Sequence, residues 1–267
     1  LPLTLFPYTT LFRSKLFWID LQPSLYCLFK RTAQNLGQHF EVKRWSFEHD
    51  LDESCDVDSV HSHLRQTIEN SSSPVHLVGH GISGTIAHLY AQKYPKNISS
   101  ISLLSVDVQS TNQWTSHYQS MRSQLQCSRF HILNHLSRLL IEIQEDHVQD
   151  IITKLLVKCL DNDFVNGSII EKPNIENLGR INAPILVVNG KKDFVVDKNS
   201  RQRWEQQLKP GDCYKEIKNG RHFFPFHDWS ETAKIIDSFI TMVPEKNQDL
   251  DFHFSRSLKT SAMHHHD

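Results

Sequence analysis

The run Pro74-Val75-His76-Leu77-Val78-Gly79-His80-Gly81-Ile82-Ser83-Gly84-Thr85-Ile86-Ala87 constrains this chain more than any other segment. An apolar stretch of strand length runs into closely spaced glycines and then into residues suited to a helix. That order predicts a strand, a sharp turn and a helix, because glycine adopts backbone angles closed to other residues and lets two elements cross at short range.

The rest of the chain keeps the same rhythm. Leu16–Leu21 reads as a strand, followed by a Gln22-Pro23-Ser24 turn and a helical stretch with Leu25, Leu28, Phe29, Ala33 and Leu36 on one face, closed by Gly37. Phe40–Phe47 reads as a second strand and Asp56–Ile68 as a helix, with Val60, Leu64 and Ile68 at helical spacing. After the glycine turn come a helix from about Ile82 to Tyr94 and a strand, Ile101–Val106. Alternating strands and helices imply a parallel sheet covered on both faces. From about Gln113 to Leu160 the pattern is helical throughout, with stripes such as Ile132, Leu136, Leu139, Leu140 and Ile143. Such an insert between sheet strands has the form of a lid, placed at about residues 108–176. The alternation resumes with Ala183–Gly190, a helix near Ser200–Leu208, the strand Cys213–Ile217 and a helix from Trp229 to about Met242. The polar, aperiodic stretch 244–267 reads as a flexible tail.

Bulk properties narrow the function classes. The chain has 267 residues, 39% hydrophobic and 22% charged, with a net charge of −1, which suits one globular domain and offers no basic face for nucleic acid. Its apolar runs are too short to span a membrane. Five cysteines without paired spacing argue against a disulfide framework and for a reducing, cytoplasmic setting. Seventeen histidines fall in no H-E-x-x-H or similar pattern, and His264-His265-His266 sit in the tail, so neither a metal nor any other cofactor is expected. Thr4–Ser14 matches, codon for codon, one reading frame of a common sequencing adapter. Residues 1–14 are accordingly read as a library artefact, 15–243 as the domain, and the domain's first strands as missing.

Three segments in order resemble the α/β-hydrolase superfamily. The first is the glycine turn with Tyr90-Ala91-Gln92-Lys93-Tyr94-Pro95 after it, the second Pro184–Asp193, the third Asn219-Gly220-Arg221-His222-Phe223-Phe224-Pro225. The resemblance covers roughly Leu16–Thr241 and implies an α/β-hydrolase fold, a mostly parallel sheet flanked by helices with a helical lid insert. It also implies a lipase- or esterase-like site with the acid at Asp193 and the histidine at His222. Chain order nucleophile, acid, histidine is the order this superfamily uses. Asp107 and Asp197 compete for the acid position, and His227 for the histidine.

The departure lies at the nucleophile. The G-x-S-x-G elbow presents a serine hydroxyl at its bend, and here the frame reads Gly79-His80-Gly81-Ile82-Ser83. A histidine held by a carboxylate activates a serine by taking its proton, and glycine offers none. Either Ser83, two residues on, or a water activated by His222 would have to attack. Ser83 in the first helical turn more naturally caps the helix or packs toward the preceding strand. The oxyanion side is altered too. The family usually carries a His-Gly pair after its third strand, whereas this chain has Asp20-Leu21-Gln22-Pro23-Ser24, and Pro23 has no N–H to give. Candidate donors are Leu21, Gln22, Ser24 and Ile82.

Two functions follow as expectations. One is hydrolysis of small or medium apolar ester- or acyl-type molecules through an atypical or disarmed nucleophile site. The other is a non-catalytic homologue whose pocket binds a small hydrophobic ligand or a protein partner, lined by aromatics such as Trp114, Tyr118, Phe130 and Trp229.

Overall fold

A computed structural model describes residues 13–47, 56–71, 73–109, 113–143, 145–163 and 181–243. The adapter-like segment up to residue 12, the end of the expected lid and the expected tail lie outside the described residues. Six strands form one sheet in the order β2-β1-β3-β4-β5-β6, every neighbouring pair parallel. They are β1 (Lys15–Asp20), β2 (Glu41–Ser46), β3 (Val75–His80), β4 (Ile98–Leu104), β5 (Ile185–Gly190) and β6 (Cys213–Ile217). The connecting helices are α1 (Lys30–Leu36), α2 (Val57–Glu69), α3 (Ile82–Lys93), α4 (Trp114–Gln124), α5 (Arg129–Leu140), α6 (Asp146–Asn162), α7 (Ser200–Gln207) and α8 (Trp229–Met242). Parallel strands need such crossovers, and the helices they supply cover both sheet faces.

Side chains that alternate along each strand divide the core in two. From β1, Phe17 and Ile19 join Leu77 of β3, Val60 and Leu64 of α2, Ile86 and Tyr90 of α3 and Trp204 of α7 on one face. Leu16 and Trp18 point the other way, into a cluster with Val78, Ala33 and Leu36 of α1, Ile236 and Phe239 of α8, and Leu133 and Leu136 of α5. The central strands β3 and β5 are buried along their whole length. This fits the apolar runs within them, Leu77-Val78 of β3 and Ile185–Val188 of β5.

Two elements differ from the sequence reading. The helical stretch after β1 is split, a 3-10 turn over Pro23–Leu28 preceding α1, with Pro23 starting that turn. A proline lacks the N–H a helix interior needs but fits a first turn, so the chain winds tightly there before the longer helix begins. Strand β4 begins at Ile98 rather than Ile101. Ser100 is fully buried in it and bonds the Nδ1 of His76 across the sheet at 2.7 Å, so a polar pair substitutes for the apolar alternation that marks a strand.

The helical insert is α4, α5 and α6, which lie between β4 and β5 in the chain. Ile132, Leu133, Leu136 and Leu140 of α5 bury against the core together with Ile152, Leu156 and Cys159 of α6. Phe130 of the insert is 42% exposed.

Candidate active site

The bend between β3 and α3 falls at Gly81, whose φ of 52° and ψ of −122° lie in a region that L side chains rarely adopt. Glycines before and after it let strand and helix meet. A Cβ on Gly79 would stand 2.6 Å from the Gly84 nitrogen, and one on Gly84 would stand 2.6 Å from Val106 Cγ2. A Cβ at Gly81 itself meets open room, with Gln113 Oε1 at 3.5 Å and His222 Nε2 at 3.9 Å. The backbone is thus bent as for a presented side chain, and residue 81 presents none.

Strand β5 delivers Asp193 in the turn after Gly190, and the loop after β6 delivers His222. His222 Nδ1 donates to Asp193 Oδ2 at 3.0 Å, with both side chains essentially excluded from solvent. The other carboxylate oxygen accepts the N–H groups of Val195 and Val196 at 2.9 and 3.3 Å. Burial works to raise the Asp193 pKa, but the attraction of His222 and these hydrogen bonds outweigh it and hold the carboxyl below its ordinary range. Because a carboxylate only accepts, Nδ1 carries the proton and Nε2 presents a lone pair. That Nε2 is buried and has no hydrogen-bond partner among the described residues.

The histidine is fixed from behind. Its carbonyl oxygen accepts from His80 Nε2 at 2.8 Å and from the Ser105 hydroxyl at 2.7 Å. His80 stacks on Phe223, and burial first, then the neighbouring His222, lowers its pKa to about 3, so it stays neutral. Ser105 takes a φ of 50°, an uncommon conformation for a residue with a side chain. Together with the Phe223 N–H on the Leu140 carbonyl at 3.0 Å, these bonds anchor the backbone that carries the imidazole.

On the oxyanion side the candidate N–H groups are largely committed to the protein. The Leu21 N–H donates to Ser83 Oγ at 3.0 Å, the Gln22 N–H to Asp20 Oδ1 at 3.1 Å and the Ser24 N–H to Asp163 Oδ2 at 2.9 Å. Ile82 stands in the first turn of α3, where an N–H has no intrahelical acceptor and the helix dipole favours negative charge. Ser83 is buried and spans to β1 through Leu21; no hydrogen bond joins it to His222 among the described residues. The structure therefore brings Gly81, Asp193 and His222 together, and turns Ser83 away.

The competing acids sit elsewhere. Asp107 forms a two-pronged pair with Arg203, and Asp197 accepts the Asn199 N–H at 2.7 Å and lies 3.1 Å from the same guanidinium. His227 is exposed beside Phe226. Sequence reasoning missed Gln113, His117, His80 and Ser105 as neighbours of the site. His117 of α4 lies in tilted contact with Phe194, ring centroids 4.9 Å apart, and burial, reinforced by His222, lowers its pKa. No sequence signal marks Gln113, which precedes a helix like any other polar residue. Among the described residues no group of three or more His, Cys, Asp or Glu side chains could hold a metal ion, and no helix is long and apolar enough to cross a membrane.

Comparison with known proteins places this geometry in context. Residues 43–227 match the family described as Serine aminopeptidase, S33. The protein alr2406 of Nostoc sp. (strain PCC 7120 / SAG 25.82 / UTEX 2576) is 32% identical over 212 residues, covering 78% of this chain and 83% of its own. Monoacylglycerol lipase ABHD6 of Homo sapiens is 22% identical over 223 residues, covering 76% of this chain and 65% of its own. Among solved structures, a putative lipase (lip1) from Acinetobacter baumannii AYE superposes with a TM-score of 0.65 at 20% identity, covering 86% of this chain and 84% of its own. The fold is that of the α/β-hydrolases.

Proposed function

Because the chain belongs to the Serine aminopeptidase, S33 family of α/β-hydrolases, we propose that it acts on ester- or acyl-type small apolar molecules without ever forming an acyl-enzyme. The observation that carries this is the buried Nε2 of His222, without a partner among the described residues, oriented by Asp193 and facing a glycine where the bend would present a nucleophile. A base with no hydroxyl of the chain to activate can still activate water. The names of a lipase relative and a lipase-like neighbour support an ester-type substrate.

In that reaction His222 Nε2 takes a proton from water as the water oxygen bonds to the acyl carbon. The Ile82 N–H at the helix start faces the charge developing on the carbonyl oxygen. When the ester C–O bond breaks, the proton on Nε2 passes to the leaving alkoxide, so one ester and one water give one acid and one alcohol. With the N–H groups of Leu21, Gln22 and Ser24 already donated elsewhere, charge stabilisation is weak and turnover is slow. The same committed donors favour the second reading, a pocket that only binds such a molecule.

Steady-state hydrolysis of a p-nitrophenyl ester separates the two. Water-based catalysis gives slow, burst-free turnover that resists fluorophosphonates and disappears in His222→Ala. A pocket that only binds gives the same rate for wild type and His222→Ala.

A further inference from the structure

We propose that Gln113 holds the attacking water, together with His222, over Gly81; this rests on the reading above and assigns the side chain that replaces the missing nucleophile as the organiser of the site. The two groups converge on one point. The position a Cβ of residue 81 would occupy lies 3.5 Å from Gln113 Oε1 and 3.9 Å from His222 Nε2.

The hydrogen-bonding character of the pair selects the occupant. Nε2 is an acceptor, because Nδ1 donates its hydrogen to Asp193. The carboxamide oxygen of Gln113 is an acceptor as well. A group between two acceptors must bring two hydrogens. Water brings two, a serine hydroxyl brings one, and an ester carbonyl brings none. Glycine at 81 and glutamine at 113 thus work as a matched pair: the first removes the one-hydrogen nucleophile and the second fits the two-hydrogen one.

Gln113 is placed firmly enough for this role. It caps α4 in an extended conformation, and its carbonyl accepts the N–H groups of Ser116 and His117 at 3.0 and 3.3 Å. Its neighbour Trp114 is almost wholly buried, with its indole N–H on Gln22 Oε1 at 3.4 Å. Gln113 itself is 6% exposed. In the reaction its oxygen keeps one water hydrogen and leaves the other for His222, which aims the oxygen lone pair away from both groups and toward the acyl carbon. Gln113 is a positioning residue; His222 moves the proton.

The test is Gln113→Met, which keeps the length of the side chain and removes the acceptor, read with a p-nitrophenyl ester. The expected result is a fall in kcat of about tenfold, the worth of one hydrogen bond to the reacting water, with KM unchanged. In a Gly81→Ser background the same Gln113→Met change is expected to leave the rate of fluorophosphonate labelling within about twofold, since a one-hydrogen nucleophile has no second acceptor to satisfy. Loss of labelling there, or an unchanged kcat in the single variant, overturns the proposal. If the wild-type chain hydrolyses no ester, the catalytic reading fails, and a high-resolution crystal structure still decides the role of Gln113. An ordered water bonded to both Gln113 and His222, lost in Gln113→Met, supports it; a water that stays put contradicts it.

Discussion

The Ser83 hydroxyl accepts the Leu21 amide hydrogen at 3.0 Å, tying the first turn of α3 to the end of β1 across 62 residues of sequence. Both residues are buried, so this bond occupies a lone pair of the serine oxygen and the Leu21 N–H at once. Ser83→Ala leaves the Leu21 N–H without its partner and is expected to lower stability by about 1–3 kcal/mol. Hydrolysis, where present, persists at the wild-type rate or above, because the freed N–H can face the substrate. Urea melts alongside ester kinetics check both; a loss of activity at unchanged stability contradicts the structural role.

The acid is decided by Asp193 and Asp107. Asp193→Asn removes the acceptor that keeps the Nδ1 hydrogen of His222 in place, and turnover is expected to fall roughly 10²–10⁴-fold, the range by which a positioned general base contributes. Asp107→Asn breaks the pair with Arg203 of α7 and is expected to cost about 2 kcal/mol of stability, the scale of hydrogen bonds to a charged group, with kcat unchanged. Kinetics that reverse this order assign the acid to Asp107.

Acid sensitivity follows from four buried histidines. Burial lowers the pKa of His61 and His76 to about 4 and of His80 and His88 to about 3, with the neighbouring His222 adding to the shift at His80. An unfolded histidine titrates near 6.5, so between that pH and the folded values the unfolded chain binds more protons. Their contribution to stability is complete above about pH 6.5 and is lost progressively as the pH falls toward 3 to 4. Thermal melts are expected to show a Tm level from pH 7 to 8 and dropping steeply between pH 6 and 4, with a shallower drop in His88→Leu. A Tm independent of pH over that interval contradicts the burial of these rings.

Much of the fold was legible because its signals are local. The strand Cys213–Ile217 and the helix Trp229–Met242 stand where turn residues and periodicity place them, and the glycine turn placed the bend at residue 81 because close crossing demands glycine at Gly79 and Gly84. The split at Pro23 and the early start of β4 were not legible, since each depends on a partner brought by the fold, such as His76 for Ser100. In the candidate site, Asp193 and His222 are named by motif, whereas Gln113 reaches Gly81 from a separate element and the committed N–H groups of Leu21, Gln22 and Ser24 depend on tertiary acceptors. Hydrogen-bond partners that distant in sequence leave no periodic trace.

Gly81→Ser tests whether the rest of the machinery is intact. A serine Cβ fits the space, but the positive φ strains any side chain there, so the variant is expected to lose about 1–3 kcal/mol of stability. It is expected to gain reactivity with fluorophosphonates through His222 and Asp193. A folded variant that stays unreactive shows that the committed oxyanion donors, rather than the glycine alone, disarm the site.

Intact-protein mass spectrometry after fluorophosphonate treatment bears most directly on the absence of an acylating nucleophile. The predicted spectrum shows no adduct on the wild-type chain and a single adduct on Gly81→Ser. A stoichiometric adduct on the wild-type chain that maps to Ser83 would contradict the account.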